Sequence, residues 1–521
     1  MTDPGAARPP RDRGARHLGL VGALLLVVAG YLGGALPGAT TLRVWDSDTG
    51  PLTVALWLAG TAAMVGAWWL LRAGAPSIRW AYRTAGLWTL PLLFSAPLGS
   101  RDVYSYACQG WVYADGGDPY AVGVAAAGCP WLEAVAPVWR DTPAPYGPVF
   151  VLLAALAVVL GGGLVGTVVA LRVLAVAGLL VAAFCLPGLA RAAGVPARRA
   201  TWLVLACPLV GVHLVAGAHN DAVMLGLLLP GLLLLARRPA PSASRRPAPA
   251  TAARQRRPDQ RPAAGWLLVA GVLLGLAVSV KATAVVVLPF AALAAVRGRY
   301  TLPVLLRDGG LLALGVLGAV AVTSLLSGLG LGWIGGLSSS GDTVQWTSPP
   351  TAVGMVVDYA GELAGRDLGA VSVARVVGLV LLAGFLSFLW WRTWSALRGP
   401  TRPVTPTGAS AADHRLDPRE ARWRQALGGA GVALVATVVL APVFHPWYAT
   451  WPLAVLAVTA GRTTWFLLPC AAASFLALPD GTNVARLVKA PGAVAMTLLV
   501  LAILLWAPSR LKRQSTGGSP T

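Results

Sequence analysis

Long apolar runs separated by short polar or basic segments occupy most of this chain. A transmembrane helix needs about 20 predominantly apolar residues, and fourteen runs approach that length, some of them short enough to pair as helical hairpins. The runs lie at 18–36, 51–71, 84–98, 168–190, 200–216, 221–236, 266–280, 283–296, 311–328, 370–391, 425–442, 447–461, 463–478 and 491–508. The pattern predicts an all-α polytopic membrane protein with about 14 transmembrane helices, within a range of about 12–15.

The composition excludes an ordinary soluble enzyme and a disordered chain. Of the 521 residues, 56% are hydrophobic and 12% are charged, whereas soluble globular proteins carry roughly 25% charged residues. The mean hydropathy is +0.68. A net charge of +21 would favour nucleic-acid binding in a soluble protein, but in a membrane protein the basic residues first indicate topology.

The basic residues predict how the chain is oriented in the membrane. If every basic cluster is cytoplasmic, 32 of the 41 basic residues but 7 of the 20 acidic residues lie inside, in agreement with the positive-inside rule. This assignment requires that the apolar segment 148–163, which ends in three glycines, does not cross the membrane. We therefore interpret it as an interfacial or re-entrant helix. Both termini are then cytoplasmic, the first apolar run is an uncleaved anchor, and the charge is explained by a lipid bilayer partner without nucleic acid.

The first large outer loop, 99–147, concentrates acidic and aromatic residues, Tyr104 among them. Carboxylates bind hydroxyls or act as bases, and aromatic rings stack on sugars. A loop that rests on lipid headgroups would also be rich in Trp and Tyr. Asp102 differs from the other acids because it lies beside Arg101, within a few residues of the end of the third apolar run. We expect a lipid-linked phosphate at that depth.

Two further polar clusters interrupt apolar runs at the same predicted face. His219, Asn220 and Asp221 form the first, although a tight turn would also use Asn and Asp. Lys281 is the one lysine among the first 488 residues, and it lies at the outer end of a predicted hairpin. Its ammonium either holds a phosphate as a point charge or snorkels to the interface.

The segment FHPWY places His445, Trp447 and Tyr448 between two apolar runs at this face. An interfacial aromatic belt would have the same composition. Clusters from four distant stretches of the chain nevertheless converge on one side of the membrane. This convergence favours a functional site there.

The five cysteines have no metal-binding spacing such as CxxC. Cys108 and Cys129 lie in one outer loop, 21 positions apart, on the face where disulfides persist. We predict a disulfide between them that fixes the loop holding Asp102. Cys185, Cys207 and Cys470 lie in apolar runs and are expected to be free thiols.

Several motifs together resemble one enzyme family. SRDVYSY, DGGDPY, PVWRDTPAPYGP, GAHNDA, the hairpin that holds Lys281, and FHPWY resemble the actinobacterial polyprenol-phosphomannose-dependent α-1,6-mannopyranosyltransferases of lipomannan assembly. These are GT-C glycosyltransferases, and the resemblance runs from about residue 84 to 460. It implies an extracytoplasmic active site with Asp102 as the catalytic base, and an interfacial helix at 148–163. It also implies a β-linked mannosyl phosphate donor and inversion to an α-linked product.

The substrates implied by this resemblance are polyprenyl-phosphate mannose and a lipid-anchored mannan acceptor. Lys281, with Arg101 or Arg172, would balance the charge of the donor phosphate. The sequence offers no multi-carboxylate ligand set, so we expect neither a metal nor a cofactor. The remaining candidates for donor or acceptor binding are Tyr104, His219, Asn220, Asp221, His445, Trp447 and Tyr448.

The predicted organisation has a basic cytoplasmic tail, a catalytic module, a C-terminal membrane region and a disordered tail. They cover residues 1–17, 18–330, 331–514 and 515–521. The catalytic module contains the outer loop, the interfacial helix and a Pro- and Arg-rich cytoplasmic loop, 237–265, that has almost nothing to bury and is predicted to be disordered. A second cytoplasmic loop is predicted at 392–424.

A transporter or flippase of polyprenyl-linked sugars is the alternative from another functional class. Transporters place ionisable groups near the middle of the bilayer and show repeated halves. No acidic residue lies in the middle of an apolar run under the predicted assignment, and the chain shows no internal repeat. An enzyme is therefore favoured, and a structural scaffold is a weaker third option because it does not need His and Asp together at these positions.

Overall fold

The computed structural model describes residues 10–38, 44–236, 261–339, 343–399 and 417–516. These residues form helices and loops without any strand. The helices, numbered α1 to α18 in chain order, are Pro10–Gly33, Gly50–Leu70, Ile78–Leu93, Asp102–Ala114, Pro148–Gly161, Leu164–Ala192, Ala197–Leu205, Asp221–Ala236, Arg261–Val280, Leu288–Ala295, Leu302–Ser327, Trp333–Ser339, Pro349–Leu363, Ala370–Arg398, Pro418–Leu440, Thr450–Ala457, Thr464–Ala473 and Lys489–Thr516. The all-helical prediction is confirmed for this part of the chain.

Seven of the described helices are long and apolar enough to cross a membrane, or eight if a bent pair counts as one span. They are α1, α2, α6, α11, α14, α15 and α18. Their outer surfaces are hydrophobic. In α14, for example, 6% of an apolar 18-residue stretch is buried inside the protein. Such surfaces are stable only against lipid. The protein is therefore a polytopic membrane protein, while the count of about 14 spans remains a prediction.

Glycines allow the helices around the site to pack at backbone contact. Gly178 of α6 faces Gly226 of α8, and a Cβ on Gly226 would lie 2.6 Å from the Gly178 Cα. Gly271 of α9 and Gly315 of α11 repeat this arrangement. Helices in lipid associate through such small residues because van der Waals packing replaces the hydrophobic effect there.

The predicted outer loop contains a helix that the sequence pattern did not indicate. Residues Asp102–Ala114 form α4, and Cys108 within it is joined to Cys129 by a disulfide with a Cα–Cα distance of 5.6 Å. Cys185, Cys207 and Cys470 are buried thiols that take part in no disulfide. The predicted disulfide and the predicted free thiols are thus confirmed.

The segment predicted to be an interfacial helix forms α5, which ends at Gly161 and is followed by Gly162 in the left-handed conformation, with φ of 63°. The next helix, α6, begins at Leu164. The chain therefore turns sharply at this point, as the three glycines allow. The interfacial position of α5 remains a prediction.

The apolar run 200–216 is broken rather than straight. It forms α7 and then a π-helical segment, Val210–Ala216, with a bend of 61° between them. Gly217 and Ala218 follow, and Ala218 adopts a positive φ of 51°. This turn directs His219, Asn220 and Asp221 into the interior, where all three are buried.

Several predicted segments fall partly or wholly outside the described residues. These are most of the cytoplasmic loop 237–265, the middle of the loop 392–424, the first nine residues of the basic tail and most of the tail 515–521. The predicted domain boundaries remain predictions.

Candidate active site

Asp102 begins α4 and is 7% exposed. Its backbone NH donates to Ser100 Oγ at 3.0 Å. Ser105 and Gln109 follow at helical spacing, and all three side chains line one cavity of about 380 Å³. The Ser105 hydroxyl and the Gln109 carbonyl oxygen are buried without a hydrogen-bond partner among the described residues. Since such atoms normally find partners, this stripe of α4 is suited to hydroxyls of a bound molecule.

We call this cavity of about 380 Å³ the first cavity. It combines polar groups with an apolar wall. Lys281 and Tyr146 line it together with Asp102, and Leu337, Leu379 and Val443 form apolar parts of its wall. Leu379 belongs to α14, whose outer surface is exposed hydrocarbon, and is itself 47% exposed. The cavity therefore extends from a buried carboxylate towards the lipid-facing surface.

Lys281 forms a buried ion pair with Asp221. The ammonium lies 2.9 Å from Oδ1 and 2.8 Å from Oδ2 of Asp221, and 3.3 Å from Oδ1 of Asn220. Trp451 donates its indole NH to the same carboxylate. A buried charge needs a partner and hydrogen bonds to remain ionised. The pair carries no net charge, so an incoming anion must share the ammonium with Asp221.

Aromatic rings surround the ammonium. Its Nζ lies 5.9, 5.5 and 5.4 Å from the ring centroids of Tyr146, Tyr448 and Trp451. Cation–π attraction operates at these distances. The rings therefore help to fix Lys281 at the cavity wall.

The rings of His219, His445 and Trp447 pack together near Asp102. The His445 and Trp447 rings are stacked at 4.6 Å, and the His219 ring lies 4.2 Å from Trp447. His219 Nδ1 lies 3.8 Å from Asp102 Oδ2, too far for a hydrogen bond. Burial lowers the pKa of His219 well below its usual value and that of His445 to about 3. The imidazoles are therefore neutral, and Asp102 has no histidine counter-ion.

Burial raises the pKa of Asp102 to about 6, and this desolvation is the largest effect on it. The nearby Ser100 hydroxyl, the charge of Lys281 and the Trp139 indole oppose the rise, whereas the Asp221 charge adds to it. A carboxylate with a pKa near 6 is a stronger base than an exposed aspartate and is still ionised near neutral pH. Asp102 therefore has the protonation behaviour of a general base.

A second cavity of about 400 Å³ meets the first at Asp102. Both cavities are lined by Asp102, Trp139, His445 and Trp447. The walls that belong to the second cavity alone include several polar residues, namely Ser100, Arg101, Thr343, Gln345, Asp480, Thr482, Asn483 and Arg486. Asp102 thus lies where an apolar cavity and a polar cavity join.

The structure brings eight of the predicted site residues together, because each of them either lines one of the two cavities or contacts a residue that does. They are Asp102, His219, Asn220, Asp221, Lys281, His445, Trp447 and Tyr448. Arg101 lines the second cavity and donates to the Ala134 carbonyl at 3.1 Å.

Five predicted residues line neither cavity; His219, Asn220 and Asp221 contact residues that do, whereas Arg172 and Tyr104 lie apart from the site. Arg172 donates to the carbonyls of Leu93, Ser95 and Ala216. The Tyr104 hydroxyl donates to the Ala35 carbonyl. Both side chains connect the backbone of separate segments, and their predicted role in binding the donor has no geometric support in this structure.

Sequence reasoning missed Ser105, Gln109, Tyr146, Trp451 and the loop 477–487. The spacing of Asp102, Ser105 and Gln109 was a usable signal, since residues three and seven positions apart share a helix face. Trp451 lies within an apolar run and carries no such signal. No group of three or more metal-ligating side chains occurs among the described residues.

The family model for the N-terminal domain of alpha-(1->6)-mannopyranosyltransferases matches residues 16–297. The chain belongs to the alpha-(1->6)-mannopyranosyltransferase family. A second model, the MptB C-terminal domain, matches residues 416–506. The first match contains Asp102, Asp221 and Lys281, and the second contains His445, Trp447 and the loop 477–487, so the site is assembled from both. No solved structure matches the chain.

Curated members of the family are similar over most of this chain. Alpha-(1->6)-mannopyranosyltransferase Rv1459c of Mycobacterium tuberculosis is 34% identical over 72% of this chain and 65% of its own length. Alpha-(1->6)-mannopyranosyltransferase A of the same organism is 31% identical over 77% and 70%. Alpha-(1->6)-mannopyranosyltransferase B of Corynebacterium glutamicum is 30% identical over 79% and 64%. The chain thus spans about two thirds of the length of these relatives.

Proposed function

We propose that this protein is an inverting GT-C mannosyltransferase that moves mannose from polyprenyl-phosphate mannose to a hydroxyl of a lipid-anchored mannan, forming α-1,6 linkages. The observation that carries the proposal is the position of Asp102. This buried carboxylate shares a cavity with Lys281, and the same cavity reaches the lipid-facing surface of α14. Membership of the alpha-(1->6)-mannopyranosyltransferase family supports the choice of sugar and linkage.

The proposed reaction is a single displacement. The acceptor oxygen bonds to C1 of mannose as the bond from C1 to the phosphate oxygen breaks, and polyprenyl phosphate leaves with that electron pair. Asp102 takes the proton from the acceptor hydroxyl. Lys281, held by Asp221, faces the phosphate and stabilises its charge. The proposed reaction needs no metal or other cofactor.

The prenyl chain of the donor fits the apolar side of the first cavity. Its phosphate would then lie near Lys281, and the mannose hydroxyls near Ser105 and Gln109. These two side chains supply the buried oxygen atoms that lack partners among the described residues. In this arrangement the anomeric carbon faces Asp102.

We further propose that the site is extracytoplasmic and that both termini are cytoplasmic. The distribution of basic residues supports this orientation. The catalytic module comprises residues 18–330, and α5 serves as its interfacial helix. About 14 spans in total would accommodate the shorter apolar helices as paired segments.

A transfer assay tests the proposal. The purified chain in lipid nanodiscs is incubated with labelled polyprenyl-phosphate mannose and a panel of short mannosides, and the products are separated and their linkage determined. We expect an α-1,6-linked product extended by one mannose. Movement of the labelled lipid across the bilayer without formation of a glycosidic bond would instead indicate a flippase.

A further inference from the structure

We propose that the second cavity is the acceptor-binding chamber and that the loop 477–487 shapes it. The inference rests on the proposed mannosyl transfer and adds a role for the C-terminal domain, namely recognition of an uncharged, hydroxyl-rich glycan end. The chamber is defined by the residues that line the second cavity. Asp480, Asn483 and Arg486 are the loop residues used below.

The two cavities differ in the elements that form their walls. The first has Leu379 and Thr437 in its wall, and both belong to candidate membrane spans. Every residue that lines the chamber lies outside the candidate spans among the described residues. A prenyl chain requires the first environment, whereas the end of a mannan chain is water-soluble and requires the second.

The loop is held in place by its own contacts. Its first residue, Ala477, accepts from the Trp57 indole NH at 2.9 Å. Pro479 O accepts from the Gly99 NH at 3.0 Å, and Asp480 accepts from the Val44 NH at 3.1 Å. These bonds join the loop to segments more than 350 positions earlier in the chain. A preformed wall of this kind lowers the ordering cost of binding.

A glycine brings the loop against the catalytic segment. Gly481 has a φ of +93°, and a Cβ there would lie 3.0 Å from the Ser100 Cα. A side chain at this position would therefore separate the loop from Ser100, two residues before the catalytic carboxylate. The chamber wall is thus fixed directly against the segment that carries Asp102.

Polar groups of the chamber are available to a ligand. Thr343 is 9% exposed, and its Oγ1 has no partner among the described residues. The Arg486 guanidinium lines the chamber and forms no ion pair or hydrogen bond within the described ranges. The Asn483 amide donates a hydrogen bond to Gln345 Oε1 at 3.0 Å, and the two side chains add amide groups to the chamber wall. Hydroxyl, amide and guanidinium groups are the partners that sugar hydroxyls require.

The shared wall explains how the two substrates meet. Trp139, His445 and Trp447 line both cavities and offer ring faces for a sugar. Lys281 lines the first cavity alone, so a phosphate held there and an acceptor held in the chamber would reach Asp102 from different cavities. In-line displacement needs the acceptor and the leaving phosphate on opposite sides of the anomeric carbon.

Two variants test the chamber in the full-length protein. Arg486→Ala removes an exposed side chain without a structural partner, and Thr343→Val removes one buried hydroxyl while keeping the shape. Arg366→Ala, an exposed arginine that lines neither cavity, is the matched control. The assay measures the KM for an α-1,6-mannobioside, the KM for the labelled donor, and the slow release of mannose to water without acceptor.

We expect the acceptor KM to rise roughly tenfold in Arg486→Ala and about threefold in Thr343→Val, as loss of a charged and of a neutral hydrogen bond predicts. The donor KM and the release of mannose to water should not change, and Arg366→Ala should match the unmodified protein. An unchanged acceptor KM in both variants, or an increase of the donor KM alone, would overturn the assignment.

Direct binding separates this proposal from the transfer reaction itself. The mannobioside is titrated without donor, and the fluorescence of the tryptophans is followed. If the protein transfers no mannose but binds the mannoside, and Arg486→Ala weakens that binding, the chamber stands and the proposed reaction fails. If no mannoside binds to the unmodified protein, the chamber assignment fails.

Discussion

The Lys281 ammonium lies 2.8 Å from Oδ2 of Asp221, although 60 positions separate the two residues in the chain. Both are buried, so each charge depends on the other. Lys281→Met alone should leave a buried unpaired carboxylate and lower the free energy of unfolding by about 3–5 kcal/mol. The double variant Lys281→Met/Asp221→Asn should recover most of this loss but not the binding of the donor. Thermal unfolding in detergent measures the first effect, and donor titration the second.

The exposed pair of Arg140 and Glu133 provides the control for this experiment. Its N–O distance is 3.2 Å, but the Glu133 side chain is 86% exposed. Glu133→Gln should change stability by less than about 1 kcal/mol because solvent screens the pair. If Lys281→Met is as stable as Glu133→Gln, Lys281 and Asp221 do not depend on each other.

Replacing Asp102 tests the proposed base. Asp102→Asn keeps the shape but removes the basic oxygen, so turnover should fall by roughly 10²–10⁴-fold, while donor binding changes little. Asp141→Asn, in the same loop but exposed, should retain normal turnover. An Asp102→Asn variant that keeps a tenth of the activity would assign the base role to another group, with Asp221 and His445 as the next candidates.

The pH dependence follows from the raised pKa of Asp102. The base acts only when it is ionised, so activity should be constant well above pH 6 and fall about tenfold per unit below it. The sign follows from the group: acid protonates the carboxylate and removes the acceptor for the proton. Because the pKa of His445 is lowered to about 3, this imidazole does not titrate in the same range. A profile of kcat/KM without a decline near pH 6 contradicts the assignment.

The disulfide between Cys108 and Cys129 should stabilise the loop that carries Asp102. Its sequence separation is 21 residues, for which loop-closure entropy predicts about 3 kcal/mol. Cys108→Ser/Cys129→Ser should therefore unfold at a lower temperature and lose activity. Alkylation under denaturing, non-reducing conditions should modify Cys185, Cys207 and Cys470. Modification of Cys108 in that experiment would show that the bond is absent in the isolated protein.

The proposed orientation predicts opposite locations for two positions. Residue 250 lies in the predicted cytoplasmic loop 237–265 and residue 340 in the loop 328–350, which is predicted to be outside. Reporter fusions at these two positions, which both lie outside the described residues, should report the cytoplasmic and the extracytoplasmic side. The physical reason is the retention of basic loops in the cytoplasm. The same side for both fusions would rule out the topology.

The sequence predicted helices well because hydrocarbon imposes a strong pattern. Apolar runs at 51–71 and 370–391 correspond to α2 and α14. The short helix α4 was missed since its tyrosines, glutamine and cysteine resemble loop composition. The hydrophobic periodicity of a helix is hard to recognise over 13 residues, and tertiary contacts decide whether such a segment becomes helical.

Part of the membership of the candidate site was predictable from the sequence, but the pairing of its residues was not. A polar residue between two apolar runs is conspicuous, and this identified Asp102, Asp221 and Lys281. The partners of these residues could not be predicted from the sequence, because contacts across 60 or more positions depend on how the helices pack. Arg172 shows the same limit: the family resemblance implied a contact with the donor phosphate, yet its guanidinium donates to three backbone carbonyls.

The contact between Asp480 and Val44 has a consequence for biosynthesis. The two residues are 436 positions apart, and the chain emerges from the ribosome from its N-terminus. The segment with Asp102 is therefore inserted long before the loop that encloses it is made, and domains of large proteins generally fold in that order. Until the last part of the chain has been translated, a donor lipid reaching the carboxylate would find no acceptor wall beside it. Under the proposed function, transfer to an acceptor therefore begins only after this loop has been translated.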